Sequence, residues 1–252
     1  MEYTLMVYDT FMFFNELDIL ELRLKELNDV VDRFVLAESI SSHSGNEKPL
    51  YYESNKDRFS QFQDKIIHVV VEDYPKGTSF ISWDREHHQR NAIIRGLSDV
   101  KDDDYIMLSD VDEIPRPSKI GQEGVFITNL YGYYINVKCG SGLSNATVGI
   151  RGKNLKELLP LQKLRETRGD NITPICNGGW HFSYLGNPDE IKAKLDNYAH
   201  TEYSGQSIEN VRKNYENLQS PYSEEKWYKC DVDDTYPKTI LENLDYYSKY
   251  IL

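Results

Sequence analysis

Apolar and polar positions alternate along the first 110 residues in a pattern of short strands and amphipathic helices. Apolar runs at 3–8, 34–37, 66–71 and 105–108 predict four strands. Between them, Leu17, Leu20, Leu24 and Leu27 recur at helical spacing and should face a sheet. Asn15 is the expected N-cap of that helix, with acidic residues in its first turn. Residues 56–63 and 84–97 read as further helices, and 74–77 as a turn. Strand–helix alternation of this kind argues for an α/β fold with a mostly parallel central sheet flanked by helices. Beyond Pro117 the pattern changes. Residues 124–137 read as strands, 155–168 as a helix, and 172–185 (ITPICNGGWHFSYL) as strand, glycine turn and strand. Asn187, Pro188 and Glu190 form a capping signal for a helix over 189–200, followed by another over 208–219. The tyrosine-rich tail from Thr235 should pack back on the body. No linker divides the chain. The expectation is one domain over 1–252, with a strand–helix half (1–117) and a second half (118–252) that elaborates it.

Composition narrows the function. The 252 residues are 39% hydrophobic and 28% charged, enough apolar material for a packed core. The net charge of −12 argues against nucleic-acid binding. Three widely spaced cysteines make no disulfide framework. Acids interrupt the N-terminal apolar patches, so no signal peptide, integral membrane segment or anchor is expected, and the expected location is cytoplasmic. The acceptor sequons at Asn145 and Asn171 are read as chance matches for that reason.

The candidate chemistry centres on residues 105–115 (YIMLSDVDEIP), where an uninterrupted apolar strand runs into an acidic turn. Open α/β sheets bind ligands beyond the carboxyl ends of their strands. Asp110 and Asp112 there can share a hard divalent cation, Mn²⁺ or Mg²⁺, against a phosphate. A solvated acidic turn is the competing explanation. Asp231-Val-Asp233 repeats the tripeptide, and Asp102 and Asp104 share its spacing, so setting matters more than motif. Glu113 is a further ligand, a base, or merely exposed. Asp9 and Glu38, at expected strand ends, are candidates for contacts to base or ribose, or plain turn carboxylates. Arg85, Gln89 and Arg90 on the 84–97 helix are candidates to hold phosphate or orient the carboxylates. Glu86 to Arg90 is equally a favourable surface pair, and His87 and His88 should diverge. In Gly178-Gly-Trp-His181, Trp180 offers a face for a sugar ring and His181 a metal ligand; the competing reading is a hairpin turn with a core tryptophan. Asp189 and Glu190 are candidate bases that helix capping also explains.

Taken together, DTFMFFNELDILELRLKELNDVVDRFVLAES, HSGNEKPL, WDREHHQRN, LSDVDEIP and GGWHFSYLG resemble glycosyltransferase family 17 over nearly the whole chain. The resemblance implies a GT-A-like nucleotide-sugar fold and a metal-dependent, inverting transfer, with UDP-GlcNAc as donor and a glycan as acceptor. It implies that Asp110 and Asp112 hold Mn²⁺ or Mg²⁺ on the diphosphate and that His181 contacts the metal or diphosphate. It leaves the base open among Glu113, Asp189 and Glu190. Animal members carry a membrane anchor and stem, which leaves this chain resembling the bare catalytic domain of bacterial and viral relatives. Two other readings are a haloacid-dehalogenase-type phosphohydrolase, which also opens on strand–Asp-x-Asp, and a non-catalytic glycan-binding module.

Overall fold

The computed structural model describes residues 5–74, 81–166 and 173–252. In chain order the elements are β1 (Val7–Phe13), α1 (Leu17–Leu27), β2 (Arg33–Ser39), α2 (Tyr51–Ser54), β3 (Ile66–Val71), α3 (Ser82–Ala92), β4 (Tyr105–Asp110), β5 (Glu113–Pro115), β6 (Gly124–Gly132) and β7 (Val137–Arg151). There follow α4 (Leu161–Glu166), β8 (Pro174–Ser183), α5 (Pro188–Asn197), α6 (Ile208–Glu216), β9 (Tyr228–Lys229), α7 (Lys238–Leu241) and α8 (Leu244–Tyr247). All nine strands join one sheet, ordered β3-β2-β1-β4-β7-β6-β8-β5 with β9 beside β7.

The parallel expectation holds for the first half, where β3, β2, β1 and β4 are mutually parallel. It does not hold for the second. β7 runs antiparallel to both β4 and β6, and β5 antiparallel to β8, while β6 and β8 are parallel. The sheet is therefore mixed, with helices on both faces. Alternate strand residues sort to the two faces. Phe11, Phe13, Phe34 and Leu36 pack against Leu20, Leu24 and Leu27 of α1. Tyr8, Met12, Val35 and Ala37 pack against Ala92 and Ile93 at the end of α3 and Leu161 and Leu164 of α4. The tail returns as expected, with Tyr236, Ile240 and Tyr247 buried on the α1 face. The core and sheet run on across residue 117. A third cluster, including Ile191, Leu195, Val211 and Trp227, fixes α5 and α6.

Several expectations are corrected. β1 runs through Asp9 and Thr10 to Phe13 rather than stopping at residue 8. Two polar residues look like a strand end in sequence but are buried and bonded here: Thr10 Oγ1 donates to Met107 O (2.7 Å), and Asp9 pairs with Arg23. The N-cap of α1 is Glu16, whose carboxylate accepts from the backbone of Phe14 and Asn15. Residues 172–185 hold no glycine turn. β8 continues through Gly178 and Gly179, with a register shift against β6 between Ile175 and Gly179, and both glycines are pressed against neighbours. A Cβ at Gly179 (φ +150°) would lie 2.1 Å from Ile114 O, and one at Gly178 2.9 Å from Phe126 Cα. Within the expected 155–168 helix only Leu161–Glu166 is helical, and residues 167–168 lie outside the described residues. So do residues 75–77 of the expected turn, the start of the first strand and Asn171. Among the described residues no helix is long and apolar enough to cross a membrane.

Candidate active site

A cavity of about 510 Å³ opens where the carboxyl ends of β1, β2 and β4 meet α3, α4, α5 and β8. That is the position open α/β sheets give to ligands, and the size suits a small-molecule site. Asp110, Asp112 and Glu113 line its floor.

The acidic turn is set from below by Arg23 of α1. Its guanidinium is fully buried and donates to both Asp9 carboxylate oxygens (2.6 and 2.7 Å) and to Ser109. It also donates to the backbone carbonyls of Asp110, Val111 and Glu113. One side chain thus supplies the donors that a tight turn next to a strand end leaves wanting.

Above the turn the two aspartates part company. Asp110 accepts from Arg90 (3.2 Å) through Oδ1 and from Arg165 (2.8 Å) through Oδ2. Asp112 takes Lys194 of α5 at 2.9 Å on Oδ2, and its Oδ1 lies 3.6 Å from His181 Nε2. Lys194 also reaches Glu16 at 3.2 Å. Burial would push the Lys194 ammonium down, but Asp112 and Glu16 override it and the shift is upward, so it stays charged. Arg165 of α4 clasps both oxygens of Glu113, one at 2.6 Å. Burial raises the Glu113 carboxyl, and the charge and hydrogen bonds of Arg165 together with His181 outweigh it, so the net shift is downward. Glu113 Oε2 also accepts from the Asp110 backbone. A carboxylate so engaged is a weak proton acceptor; its role here is to hold Arg165 and the turn.

On the far side, Gln89 donates through Nε2 to the carbonyls of Phe13 and Ala37, which leaves its Oε1 to accept from His43 Nε2 at 3.0 Å. Burial lowers the His43 pKa against the opposing charge of Glu86. Arg90 makes the expected i,i+4 pair with Glu86 (2.8 Å) and still faces the cavity, so both of its readings hold.

Gln89, Arg90, Asp110, Asp112, Glu113 and His181 are therefore gathered here, and six other candidates are not. Asp9 lies inside β1, neutralised by Arg23. Glu38 is fully buried between His68 (3.0 Å) and Lys48 (3.6 Å) and accepts from the Tyr52 backbone. Arg85 does not border the cavity; its guanidinium covers the Tyr74 ring. Trp180 has no face for a sugar: it is 1% exposed, donates to Thr235 O, and carries Arg116 over its ring. Asp189 and Glu190 sit outside the cavity at the start of α5, where Glu190 completes a capping box with Asn187. The duplicate tripeptide is also structural, with Asp233 accepting from Thr235.

The donor chemistry was tested against a divalent ion. Among the described residues no group of three or more His, Cys, Asp and Glu is arranged to hold a metal. Asp112 and His181 nonetheless face one another, and Mg²⁺-type ions at phosphate sites use one or two protein ligands and take the rest from phosphate and water. The pair fits that mode. Asp110, the other expected ligand, has its oxygens paired with Arg90 and Arg165, as Asp112 has one paired with Lys194.

Arg165, Lys194, His43 and Arg23 were not foreseen. Three of them sit on ordinary amphipathic or polar segments and gain meaning only through partners distant in sequence, such as Gln89 for His43, Glu113 for Arg165 and Asp112 for Lys194. Arg23 had a signal: an arginine among the leucines of a sheet-facing helix needs a buried partner.

The site is an acid-bearing strand end ringed by cations, at the carboxyl edge of an α/β sheet. Comparison with known proteins shows what the chain is similar to. The model described as glycosyltransferase family 17 matches residues 1–122. The β-1,4-mannosyl-glycoprotein 4-β-N-acetylglucosaminyltransferases of Homo sapiens and Rattus norvegicus are each 25% identical over 222 residues, 72% of this chain. The chain covers 41% and 40% of those two proteins' length. The M. tuberculosis glucosyl-3-phosphoglycerate synthase aligns over 94% of this chain and 92% of its own at 12% identity; its TM-score of 0.40 is too low to define a shared fold. The likeness to glycosyltransferase family 17 thus covers residues 1–122, a little under half of the chain.

Proposed function

We propose that the cavity binds a nucleotide sugar and transfers the sugar to a hydroxyl of a glycan acceptor, with UDP-GlcNAc as donor and inversion at the anomeric carbon. The observation that carries this is the set of Arg90, Arg165 and Lys194 around Asp110 and Asp112 at the sheet's carboxyl edge. Three fixed cations suit a diphosphate. Arg90 also keeps a buried Nε–H without a partner among the described residues, a donor available to a phosphate oxygen.

In the transfer, the acceptor oxygen bonds to C1 as the C1–O bond to the β-phosphate breaks, and the acceptor hydroxyl gives its proton to a general base. A Mn²⁺ or Mg²⁺ ion held by Asp112 and His181 would supply further charge neutralisation on the departing diphosphate. Arg90 and Arg165 orient Asp110 and hold phosphate oxygens. Lys194 neutralises Asp112 and Glu16 and stands ready for the same charge.

The test is a thermal melt with UDP and Mn²⁺. Wild type should gain several degrees; Asp112→Ala should abolish the Mn²⁺-dependent part and, by leaving Lys194 with Glu16 alone, lower the melt without ligand. No shift with any nucleoside diphosphate would sink the proposal. The phosphohydrolase alternative is disfavoured, because its nucleophile would be Asp110, whose carboxylate is held by two guanidiniums.

A further inference from the structure

The cavity has a second character that the phosphate chemistry does not use. Beyond Lys194 its wall is a continuous run of rings. Lys194 Nζ lies 5.4 Å from the Tyr184 ring centroid. Tyr184 meets Tyr222 at 5.8 Å and Tyr198 at 6.4 Å. Tyr198 meets His200 at 5.3 Å, and His200 meets Trp83 edge-on at 4.5 Å. All five rings border the cavity. They come from separate elements: Trp83 from the first turn of α3, Tyr184 from the end of β8, Tyr198 and His200 from the end of α5, and Tyr222 from the loop after α6. The wall is only partly sealed: Tyr184 belongs to the buried third cluster, while Trp83, Tyr198 and His200 are half-buried. Tyr222 is 39% exposed, and its hydroxyl lies 3.1 Å from that of Tyr198, leaving polar groups beside apolar faces.

We infer that this wall is the acceptor subsite, a platform for one or two pyranose rings of the glycan that receives the sugar. The inference rests on the function proposed above. Pyranoses present an apolar C–H face edged by hydroxyls, and aromatic rings with phenolic hydroxyls beside them match both parts. Position supports the assignment. An acceptor hydroxyl must lie about 3 Å from the anomeric carbon for in-line attack, so its site must adjoin the diphosphate anchor. The wall starts at the ring against which Lys194 packs. A nucleobase has a different place in the same cavity: Phe14, Ser42 and His43, beyond the ends of β1 and β2, offer an apolar face with hydroxyl and imidazole groups beside it.

The experiment is titration calorimetry of the full chain, in Mn²⁺, with two probes each added alone and together. One is UDP. The other is β-1,4-linked mannobiose or N,N′-diacetylchitobiose. Wild type, Trp83→Ala and Tyr222→Ala are compared, with His200→Ala as a third replacement at a half-exposed position. The expected result is that a disaccharide binds wild type, that the variants weaken it about tenfold, and that their UDP affinity stays within about twofold of wild type. Loss of UDP affinity in the variants would make the wall a nucleobase platform and overturn the inference. So would disaccharide binding that the variants leave unchanged, or no binding of either disaccharide. If wild type binds disaccharide but no nucleotide, the proposed transfer fails while the platform stands.

Discussion

Arg23 shows how one side chain can serve both fold and site. It is fully buried with Asp9, and it also satisfies Ser109 and three turn carbonyls. Removing one partner of a buried pair leaves an uncompensated charge, which costs about 3–5 kcal/mol. Arg23→Met should lose that much in urea unfolding. The double variant Asp9→Leu/Arg23→Met should recover only part of it, because the turn carbonyls still lack their donor; full recovery would show that the turn does not depend on Arg23. A second residue-scale expectation concerns acid. Burial raises the Asp18 carboxyl, but Lys249, Tyr250 and Arg58 outweigh it and bring it from 3.8 to about 2. A depressed carboxylate stabilises the fold fully above its unfolded value and loses that contribution as pH falls through the folded value. Stability should therefore drop between pH 4 and 2, and Asp18→Asn should flatten that part of the curve measured by denaturant midpoint.

At the scale of elements, β8 and its glycines carry the sharpest expectation. Gly179→Ala must place a Cβ against Ile114 O with the backbone at φ +150°. The cost should be about 3 kcal/mol or more, read as a lower unfolding midpoint. Gly121→Ala is a control: it has positive φ but open space, so its loss should be smaller. These glycines also mark how far the sequence can be read. Period-2 and period-3.6 patterns located β2, β3, β4, α1 and α3 within a few residues, because each buries one face locally. Paired glycines signal either a turn or close approach, and only the neighbouring strands decide. The acidic turn and His181 were legible because a buried strand precedes one and an unusual tetrapeptide contains the other. Trp180 was misjudged because an aromatic ring looks the same in sequence whether it faces a cavity or Arg116. Arg165 and Lys194 had no local mark, since their partners lie 52 and 82 residues away.

For the whole molecule, the family match ends at residue 122 while the cavity does not. Ser144, Arg165, His181 and Lys194 line it from later segments. The α1 face of the sheet is likewise closed by Tyr236, Ile240 and Tyr247. Residues 1–122 expressed alone should therefore show no cooperative thermal transition and bind no UDP. A sharp melt from that piece would show that the first half folds without the cover supplied by the second.

The aromatic wall has one more consequence. The chain has three tryptophans. Trp180 and Trp227 are buried at 1% and 8% exposure, and Trp83 borders the cavity. Two indoles are thus locked in constant surroundings while the third meets whatever enters. Emission from the unlabelled chain should shift with cavity occupancy through Trp83 alone, so the protein carries its own optical gauge of loading.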